Sequence, residues 1–217
     1  MKVLAIIPAR GGSKGIPRKN MINFLGKPLI QWSINAALNS SIITDVIVSS
    51  DDDEILELAK KHTQVKTIKR PKELAEDNSR TEPVLVHALK NIKDVKYDYL
   101  ILLQPTSPLR KAIDIDEAFN KLIIEKANSL ISVCSIEHHP FKSFKISEKG
   151  FLQGIINNDY PFIPRQKLPK TYRANGAIYI IKVKDFLKEK SLLTNKTTFF
   201  AMSKEKSLDI DTLEDIK

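Results

Sequence analysis

Residues 3–15 decide the fold of this chain: Val3-Leu4-Ala5-Ile6-Ile7-Pro8-Ala9-Arg10-Gly11-Gly12-Ser13-Lys14-Gly15. The apolar run that opens the segment predicts a buried strand. Three of the chain's seven glycines follow within five residues. Backbone N–H groups in such a loop, together with the nearby cations Lys14, Arg18 and Lys19, can converge on one phosphate chain. The segment therefore predicts a strand that leads into a nucleotide-binding loop.

The sequence of this loop differs from the two common phosphate-binding motifs. A Walker loop needs Gly-x-x-x-x-Gly-Lys-Ser/Thr, and the dinucleotide fingerprint needs Gly-x-Gly-x-x-Gly at the start of a helix. Neither is present, and Pro17 followed by Arg18-Lys19-Asn20 keeps the segment irregular as far as Gly26. A loop draped over a ligand fits this pattern, and a basic surface loop without a ligand is the alternative.

Composition limits the class of protein. A chain of 217 residues fits one domain, residues 1–217, with a substantial core. The single cysteine, Cys134, lies in an apolar run and is interpreted as a packing residue, so no disulfide framework exists. The apolar run at the N-terminus ends at Pro8, which is too short for a signal peptide or a membrane span. We therefore expect a reducing, cytoplasmic location and no membrane partner.

The net charge of +9 raises the question of nucleic-acid binding. The charge is spread along the chain and is not interleaved with aromatic residues, so no nucleic-acid partner is expected. Arginine is the more informative cation because its guanidinium group binds anions in a fixed geometry. Six arginines lie in or beside predicted loops and are candidates for anionic groups: Arg10, Arg70, Arg80, Arg110, Arg165 and Arg173.

Apolar runs and helical patterns alternate through the first 135 residues. Strands are predicted at 3–7, 46–48, 65–68, 99–103 and 130–135, and helical spacing of apolar residues lies between them. Pro28 suits a first helical position, and Asp51-x-x-Glu54 resembles a capping box. This succession predicts an α/β fold with a mostly parallel sheet and helices on both faces. Another apolar run at 177–181 predicts a further strand.

Polar clusters follow four of these strands directly. In parallel sheets ligands bind beyond the carboxyl ends of the strands, so the clusters are expected to meet in one crevice. They are residues 10–20, 49–53, 70–71 and 104–108. Residues 138–173 break the pattern with four prolines and scattered aromatics, and they predict an extension that projects from the sheet. A metal site at His138-His139 is not expected, because further ligands at suitable spacing are missing from the sequence nearby.

Asp209 and Asp211 form a second chemical signal near the C-terminus. On an extended segment both carboxylates point the same way and can face one hard cation, for which Mg²⁺ is the best fit. The alternative is that the pair only caps a helix over 212–216. A basic glycine loop, a separate arginine and paired carboxylates together suit phosphoryl or nucleotidyl transfer, whose transition state spreads negative charge.

Four segments in this order resemble the acylneuraminate cytidylyltransferases, the CMP-sialic acid synthetases. They are Ile7-Pro8-Ala9-Arg10-Gly11-Gly12-Ser13-Lys14-Gly15-Ile16-Pro17-Arg18-Lys19-Asn20, Leu103-Gln104-Pro105-Thr106-Ser107-Pro108-Leu109-Arg110, Arg173-Ala174-Asn175-Gly176-Ala177-Ile178-Tyr179 and Asp209-Ile210-Asp211-Thr212. The resemblance implies a Rossmann-like nucleotidyltransferase fold. It also implies transfer of CMP from CTP to the anomeric hydroxyl of a nine-carbon keto acid, with Mg²⁺ and release of pyrophosphate. A homodimer is implied as well, with residues 138–173 as the dimerisation extension.

The resemblance also implies roles for individual residues. Lys19, Arg10 and Asp211 would act in catalysis, Lys19 being the main candidate for stabilising the transition state, and Asp209 and Asp211 would hold the metal. The CTP site would comprise Arg10, Gly11, Gly12, Ser13, Lys14, Asn20, Arg70, Asn78, Ser79 and Arg80. The sugar side would comprise Gln104, Lys142, Arg165, Asn175, Tyr179, Phe199 and Phe200, with Arg165 suited to a carboxylate and the two phenylalanines near the acyl groups.

Three sugar acids fit this resemblance equally well: sialic, legionaminic and pseudaminic acid. The related synthetases that activate the eight-carbon acid Kdo form one alternative, although their first loop lacks the Ser-Lys-Gly and Lys-Asn words seen in this chain. A non-catalytic nucleotide-binding module on the same fold is another. Because Asp209 and Asp211 accompany Lys19, the sequence favours the enzyme over the module.

Overall fold

The structure, a computed structural model, describes residues 1–92 and 95–216. The strands of the main sheet are β1 (Val3–Pro8), β4 (Asp45–Ser50), β5 (Val65–Lys69), β6 (Tyr99–Leu102), β7 (Ser129–Ser135), β10 (Tyr172–Lys182) and β11 (Thr197–Ala201). Two short hairpins supply β2 (Asn23–Phe24) with β3 (Lys27–Pro28), and β8 (Phe144–Ile146) with β9 (Leu152–Gly154). The α-helices are α1 (Leu29–Leu38), α2 (Asp53–Lys60), α3 (Thr81–Lys90), α4 (Ala112–Ile124) and α5 (Val183–Glu189).

The main sheet has the strand order β11-β7-β10-β6-β1-β4-β5 among the described residues. β1 pairs in parallel with β4 and β6, β4 with β5, and β7 with β11. β10 runs antiparallel to both of its neighbours, β6 and β7. The predicted mostly parallel sheet is confirmed, and the strand predicted at 177–181 is the antiparallel exception.

Helices cover both faces of the sheet because its central strands alternate between two cores. Val3, Ala5 and Ile7 pack in one core with α1, α2 and α4. Leu4 and Ile6 point to the other face, where they pack with α3 and α5. Since every one of these five side chains is buried, β1 is a central strand whose sequence cannot alternate with polar residues.

Two predicted helix starts are one residue out of place. Pro28 is the residue before α1 and not its first residue, with an extended ψ of 139°. The side chain that caps α2 belongs to Asp52, which accepts hydrogen bonds from the backbone N–H groups of Glu54 and Ile55. Asp51, predicted as the cap, instead accepts from the Gly11 N–H at 3.1 Å. The capping position moved because Asp51 is used by the glycine loop.

Arg110 is not a loop arginine that serves an external anion, as the sequence suggested. Its guanidinium group is buried and donates to the backbone oxygens of Ala177 at 2.7 Å and Gln104 at 3.3 Å, and to the Ser33 hydroxyl at 2.6 Å. Burial lowers the pKa of Arg110 to about 9. This arginine links α1, β10 and the loop after β6 from within.

Residues 138–173 form the predicted extension around the β8–β9 hairpin and several single turns of 3₁₀ helix. Phe141 packs edge-on against Tyr160, with ring centroids 4.9 Å apart. Other apolar side chains are open to solvent, among them Ile146, Phe151, Leu152 and Phe162, each more than 70% exposed. In the described part of the chain, the helices lack the combination of length and apolarity that a membrane crossing requires.

Candidate active site

A polar cleft lies beyond the carboxyl ends of β1, β5 and β6, with a volume of about 260 Å³. Its lining includes Arg10, Lys19 and Asn20 from the glycine loop, Arg70 after β5, and Gln104 and Thr106 after β6. The opposite wall comes from residues 74–81 and includes Glu76, Asp77, Ser79 and Arg80. Three of the four predicted polar clusters therefore line the cleft, and the fourth, 49–53, supports it from behind through Asp51.

The glycine loop is fixed by a hydrogen bond within itself and by its close approach to the C-terminal segment. Asn20 is buried and donates from its amide to the Arg10 carbonyl at 2.8 Å, which closes the loop on itself. A Cβ atom on Gly15 would lie 2.6 Å from the backbone oxygen of Asp211. Because that neighbour is backbone, only glycine allows the loop and the C-terminal segment to approach so closely. The glycine at this position thus serves the assembly of the site.

The loop cations are all paired with carboxylates in this structure. Asp77 accepts from Arg10 at 2.8 Å and from Lys14 at 3.1 Å. Lys19, only 14% exposed, donates to Asp211 at 2.8 Å and to the Ile210 carbonyl at 2.9 Å. The prediction that Arg18 joins them was wrong, because Arg18 turns away to ion-pair with Asp52 and Glu54 on α2. Arg10, Lys14 and Lys19 remain for an anionic ligand.

Arg70 lies on the floor of the cleft and is 5% exposed. Its guanidinium stands 3.7 Å from Asp51, and its Nε atom is buried without a hydrogen-bond partner among the described residues. Burial lowers the pKa of Arg70, and Asp51 opposes that change. A buried donor that lacks a partner is costly, so Arg70 is well placed to bind an acceptor group on a ligand.

Asp209 and Asp211 line a separate recess of about 400 Å³ together with Arg173, and Lys19, which lines the main cleft, joins the two regions through its ion pair with Asp211. Burial raises the pKa of Asp209; the neighbouring Asp211 also raises it, while the Thr106 hydroxyl, Lys19 and Arg173 lower it. One oxygen of Asp209 is buried without a partner among the described residues. The helix-cap alternative finds no support here, because Asp215 accepts the backbone N–H groups of Asp211 and Thr212.

These two carboxylates fit a divalent cation. The unpartnered oxygen of Asp209 is an orphaned acceptor, and a cation would satisfy it. Mg²⁺ is commonly held by one or two carboxylates and completes its coordination with water and phosphate oxygens. In the described part of the chain, clusters of three or more His, Cys, Asp or Glu side chains that could hold a metal ion are absent.

The residues assigned to the sugar side by resemblance lie in two places. Gln104 lines the main cleft, and its side-chain oxygen approaches Gly176, whose φ of +75° favours glycine. Lys142 and Arg165 instead line a separate recess of about 270 Å³ in the extension, together with His138 and His139. Their side chains donate to the backbone oxygens of Pro161 and Ile136, respectively. The structure does not bring these two cations to the main cleft.

Asn175 is buried, and its amide is used entirely within the protein. The oxygen accepts from Ser132 at 2.6 Å, and the nitrogen donates to Ser207 at 2.9 Å. Tyr179 is partly buried, and burial raises its pKa, with Asp209 adding to the increase. Asn175 therefore joins β7, β10 and the segment that leads to Asp209, and direct contact with a sugar stays a prediction for both residues.

Phe199 and Phe200 do not form one surface. Successive residues on β11 point to opposite faces of the sheet. Phe200 packs against the larger core, and Phe199 lies beside Tyr172 with ring centroids 5.1 Å apart. Five residues assigned to the CTP site are not among the described residues that line the cleft: Gly11, Gly12, Ser13, Lys14 and Asn78.

One residue beside the cleft escaped the sequence analysis, and another has a different contact from the one predicted. Asp77 pairs with two loop cations, and Asp51 supports both Gly11 and Arg70. Asp77 stands next to Asn78-Ser79-Arg80, which had been singled out, so its acidic side chain beside a cationic loop was an available signal. Asp51 was assigned to a helix cap because it begins a capping pattern.

A family model described as cytidylyltransferase matches residues 4–149, which include the glycine loop, Arg70 and Gln104. The chain belongs to the cytidylyltransferase family. Its full length also aligns with a pseudaminic acid cytidylyltransferase of Campylobacter jejuni, at 36% identity over all of this chain and 94% of that protein. This alignment carries the similarity through the C-terminal carboxylates, beyond the range of the family model.

Two other cytidylyltransferase relatives differ in the sugar that they are named for. An N-acylneuraminate cytidylyltransferase of Streptococcus agalactiae is 36% identical over 99% of this chain and 52% of its own length. A CMP-N,N'-diacetyllegionaminic acid synthase of Legionella pneumophila is 34% identical over 98% of this chain and 92% of its own length. These relatives, named for three different sugars, are thus similar to this chain to nearly the same degree.

Solved structures show the same cytidylyltransferase fold. A CMP:2-keto-3-deoxy-manno-octonic acid synthetase complexed with CTP matches with a TM-score of 0.71, over 98% of this chain and 94% of that one, at 18% identity. A cytidylyltransferase from Leptospira borgpetersenii matches with a TM-score of 0.63 at 20% identity, over 99% of this chain and 83% of that one. At this identity the matches establish the fold alone.

The raised pKa of Asp209 predicts that Asp209→Asn stabilises the metal-free cytidylyltransferase at neutral pH. The unfolded chain ionises this carboxyl at lower pH than the folded protein does, so the ionised group lowers stability above the folded pKa. The gain should be below about 1 kcal/mol, because water screens a partly exposed group, and it should shrink as the pH falls through the folded pKa toward the unfolded value. Urea unfolding at a series of pH values in chelator measures it.

Asp211→Asn is the matched control for this experiment. Asp211 is exposed and ion-paired with Lys19, so its replacement removes a favourable contact and should not stabilise the protein. A lower urea midpoint for Asp209→Asn at pH 7 would contradict the assignment of Asp209 as an unsatisfied carboxylate.

Proposed function

We propose that this protein transfers CMP from CTP to the anomeric hydroxyl of a nonulosonic acid, a nine-carbon keto acid of the sialic-acid type, and releases pyrophosphate. The observation that carries the proposal is the meeting of Lys19 with Asp211 at 2.8 Å, across the junction of the glycine loop and the C-terminal segment. This contact places a nearly buried ammonium group beside candidate metal ligands, in a cleft whose other cations suit a triphosphate.

The reaction forms a bond between the anomeric oxygen of the sugar and the α-phosphorus of CTP. The bond between the α-phosphorus and the oxygen bridging to the β-phosphate breaks, and pyrophosphate leaves with that oxygen. The proton of the attacking hydroxyl is released to solvent, so the products are the CMP-sugar, pyrophosphate and one proton. Negative charge grows on the oxygens around phosphorus, and Lys19 and Arg10 would offset it by donating hydrogen bonds to those oxygens. Arg10 and Lys14 would also orient the departing phosphates.

Asp209 and Asp211 would hold a Mg²⁺ ion at this site. When bound, the ion supplies positive charge next to the phosphate oxygens. The two carboxylates contribute by fixing it beside Lys19, and Thr106 steadies Asp209 through its hydroxyl. Arg70, with its buried and unpartnered Nε, would bind an acceptor of the nucleotide, and Ser79 and Arg80 would flank it from the opposite wall.

The sugar class rests on the curated relatives. Those cited above are named for pseudaminic, N-acylneuraminic and diacetyllegionaminic acid, all at 34–36% identity over nearly the whole chain. The octonic acid synthetase shares the fold at only 18% identity, so it supports the architecture and not its own substrate. A nonulosonic acid is therefore favoured over Kdo, and the choice among the three acids is left to experiment.

The first test is pyrophosphate release with CTP and a panel of sialic, legionaminic and pseudaminic acids, with Kdo as comparison. CTP should be used far better than ATP, GTP or UTP, because the proposed contacts around Arg70 select the base and ribose. A continuous coupled pyrophosphate assay measures this. Equal turnover with a second triphosphate would contradict the cytidylyl assignment, and preferred turnover of Kdo would contradict the sugar class.

The second test separates a metal-binding Asp211 from a structural one. Asp211→Asn should lower turnover by about 100-fold or more, the usual cost of losing one electrostatic contact in a transition state. Asp215→Asn is the matched control, because Asp215 caps the same turn through Asp211 and Thr212. That variant should lose stability while keeping most of its turnover. Unchanged turnover of folded Asp211→Asn across a magnesium titration would contradict the proposed metal site.

The extension is proposed to join two copies of the chain in a homodimer. Large exposed apolar side chains cluster on and around the β8–β9 hairpin: Phe144, Ile146, Phe151, Leu152, Ile155, Ile156 and Phe162. Exposed apolar area on this scale is typical of a surface that is buried in an interface. The assembly would also cover the recess that holds Lys142 and Arg165.

Light scattering tests the dimer at micromolar concentration. The wild-type protein should have twice the mass of one chain, and Phe151→Asp should shift it toward the monomer, because a carboxylate would be buried in the interface. Ile124→Asp is the matched control: its side chain is equally exposed but lies at the end of α4, outside the extension. A wild-type monomer, or equal dissociation by both variants, would argue against the extension as the interface.

A further inference from the structure

Asp77 joins the two walls of the cleft. Its carboxylate accepts from Arg10 and Lys14 on the glycine-loop side, at 2.8 and 3.1 Å. Asp77 itself belongs to the opposite wall, residues 72–80, which the Ser79 hydroxyl steadies by donating to the Glu73 carbonyl at 2.7 Å. One side chain therefore bridges the two walls of the cleft proposed to bind the nucleotide.

The two cations held by Asp77 are also the ones that a triphosphate needs. Arg10 lines the cleft directly, and Lys14 stands beside it at the rim. Each oxygen of Asp77 is bound to one of these cations, as phosphate oxygens would be. Hydrogen bonding to Lys14 lowers the pKa of Asp77, so this carboxylate is ionised at neutral pH. The carboxylate and a bound phosphate chain compete for the same donors.

We propose that Asp77 is an exchangeable counter-anion, which holds Arg10 and Lys14 in place in the empty protein and is displaced by the phosphate chain of the nucleotide. This inference rests on the proposed function, since it assumes that the cleft takes a triphosphate. Asp77 is a positioning and selectivity residue in this scheme and takes no part in the chemistry.

The exposure of the Lys14 and Asp77 side chains makes the exchange feasible. Lys14 is 80% exposed and Asp77 36%, so water screens their ion pair and the pair is weak. An ion carrying several charges can displace one carboxylate, because it gains contacts with Lys19 as well as with both freed cations. An anion with a single charge replaces one partner by another and gains little. Asp77 thus favours polyphosphates over weakly charged anions.

The adjacent Glu76 offers a matched control. It lines the same cleft, and its carboxylate forms no ion pair with any described residue. Glu76→Gln removes one negative charge from the cleft without freeing a cation, whereas Asp77→Asn removes the same charge and frees two. Comparison of the two variants separates the exchange from a general change in electrostatic potential.

Calorimetric titration with inorganic pyrophosphate, in chelator and without any divalent cation, tests the proposal. Asp77→Asn should bind pyrophosphate about fivefold more tightly than the wild type, on the scale of one partly exposed ion pair, and Glu76→Gln less than about twofold. In a Lys14→Gln background the gain from Asp77→Asn should fall, because one of the two freed cations is missing. Asp77→Ser repeats the test if the amide variant folds poorly.

Each result bears on the proposal in one direction. Unchanged or weaker pyrophosphate binding by Asp77→Asn would overturn the proposal. It would also be overturned if Glu76→Gln raised the affinity equally, or if Asp77→Asn raised it by the same factor in the Lys14→Gln background. A parallel titration of the wild type with CTP distinguishes failure of the proposed function from failure of the counter-anion role. No binding of CTP would count against the proposed function itself, whereas CTP binding without an Asp77 effect would reject only the counter-anion.

Discussion

The candidate site depends on a buried arginine whose hydrogen bonds are made to the protein itself. Arg110 bonds the backbone oxygens of Ala177 and Gln104 and the hydroxyl of Ser33. A buried charge is costly unless hydrogen bonds compensate it, and here Nη1 donates to the two backbone oxygens and Nη2 to the hydroxyl. The Nε atom is buried without a partner among the described residues. The three acceptors lie on α1, on β10 and on the loop after β6. Arg110 therefore fixes the positions of these elements relative to one another beneath the cleft.

A second buried network, made of hydrogen bonds, positions the segment that contains the candidate metal ligands. Ser132 on β7 donates to Asn175, Asn175 donates to Ser207, and Ser207 donates to the Ser203 carbonyl. Ile210 then fills a small apolar cluster with Ile16 and Leu29. These hydrogen bonds therefore fix the path of the C-terminal segment, and the buried Ile210 side chain holds the segment against the protein. Asp209 and Asp211, on either side of Ile210, emerge next to Lys19.

Much of this architecture could be predicted from the sequence because its signals are local. Apolar runs located the strands, and the order of strands and helical patterns gave the sheet class, so the crevice at the carboxyl ends followed. Contacts set by tertiary packing were not predictable. Arg110 resembled the other loop arginines, because the residues next to it in the sequence do not indicate that it is buried. Asp51 and Asp52 are both good caps, and only the approach of Gly11 decides which one is left for α2. Phe199-Phe200 looked like a pair, although a strand separates adjacent side chains.

The contact between Lys19 and the Ile210 carbonyl spans 191 residues of sequence. A ribosome that adds 5–20 residues per second needs roughly 10 to 40 s to synthesise that interval. The glycine loop must therefore wait for this contact while most of the chain is made, although β4 and β6, the partners of its strand, are synthesised much earlier. The parallel pairings are themselves non-local, which slows folding further. The candidate active site consequently cannot be complete until residue 210 has been synthesised, so its two parts come together only near the end of translation.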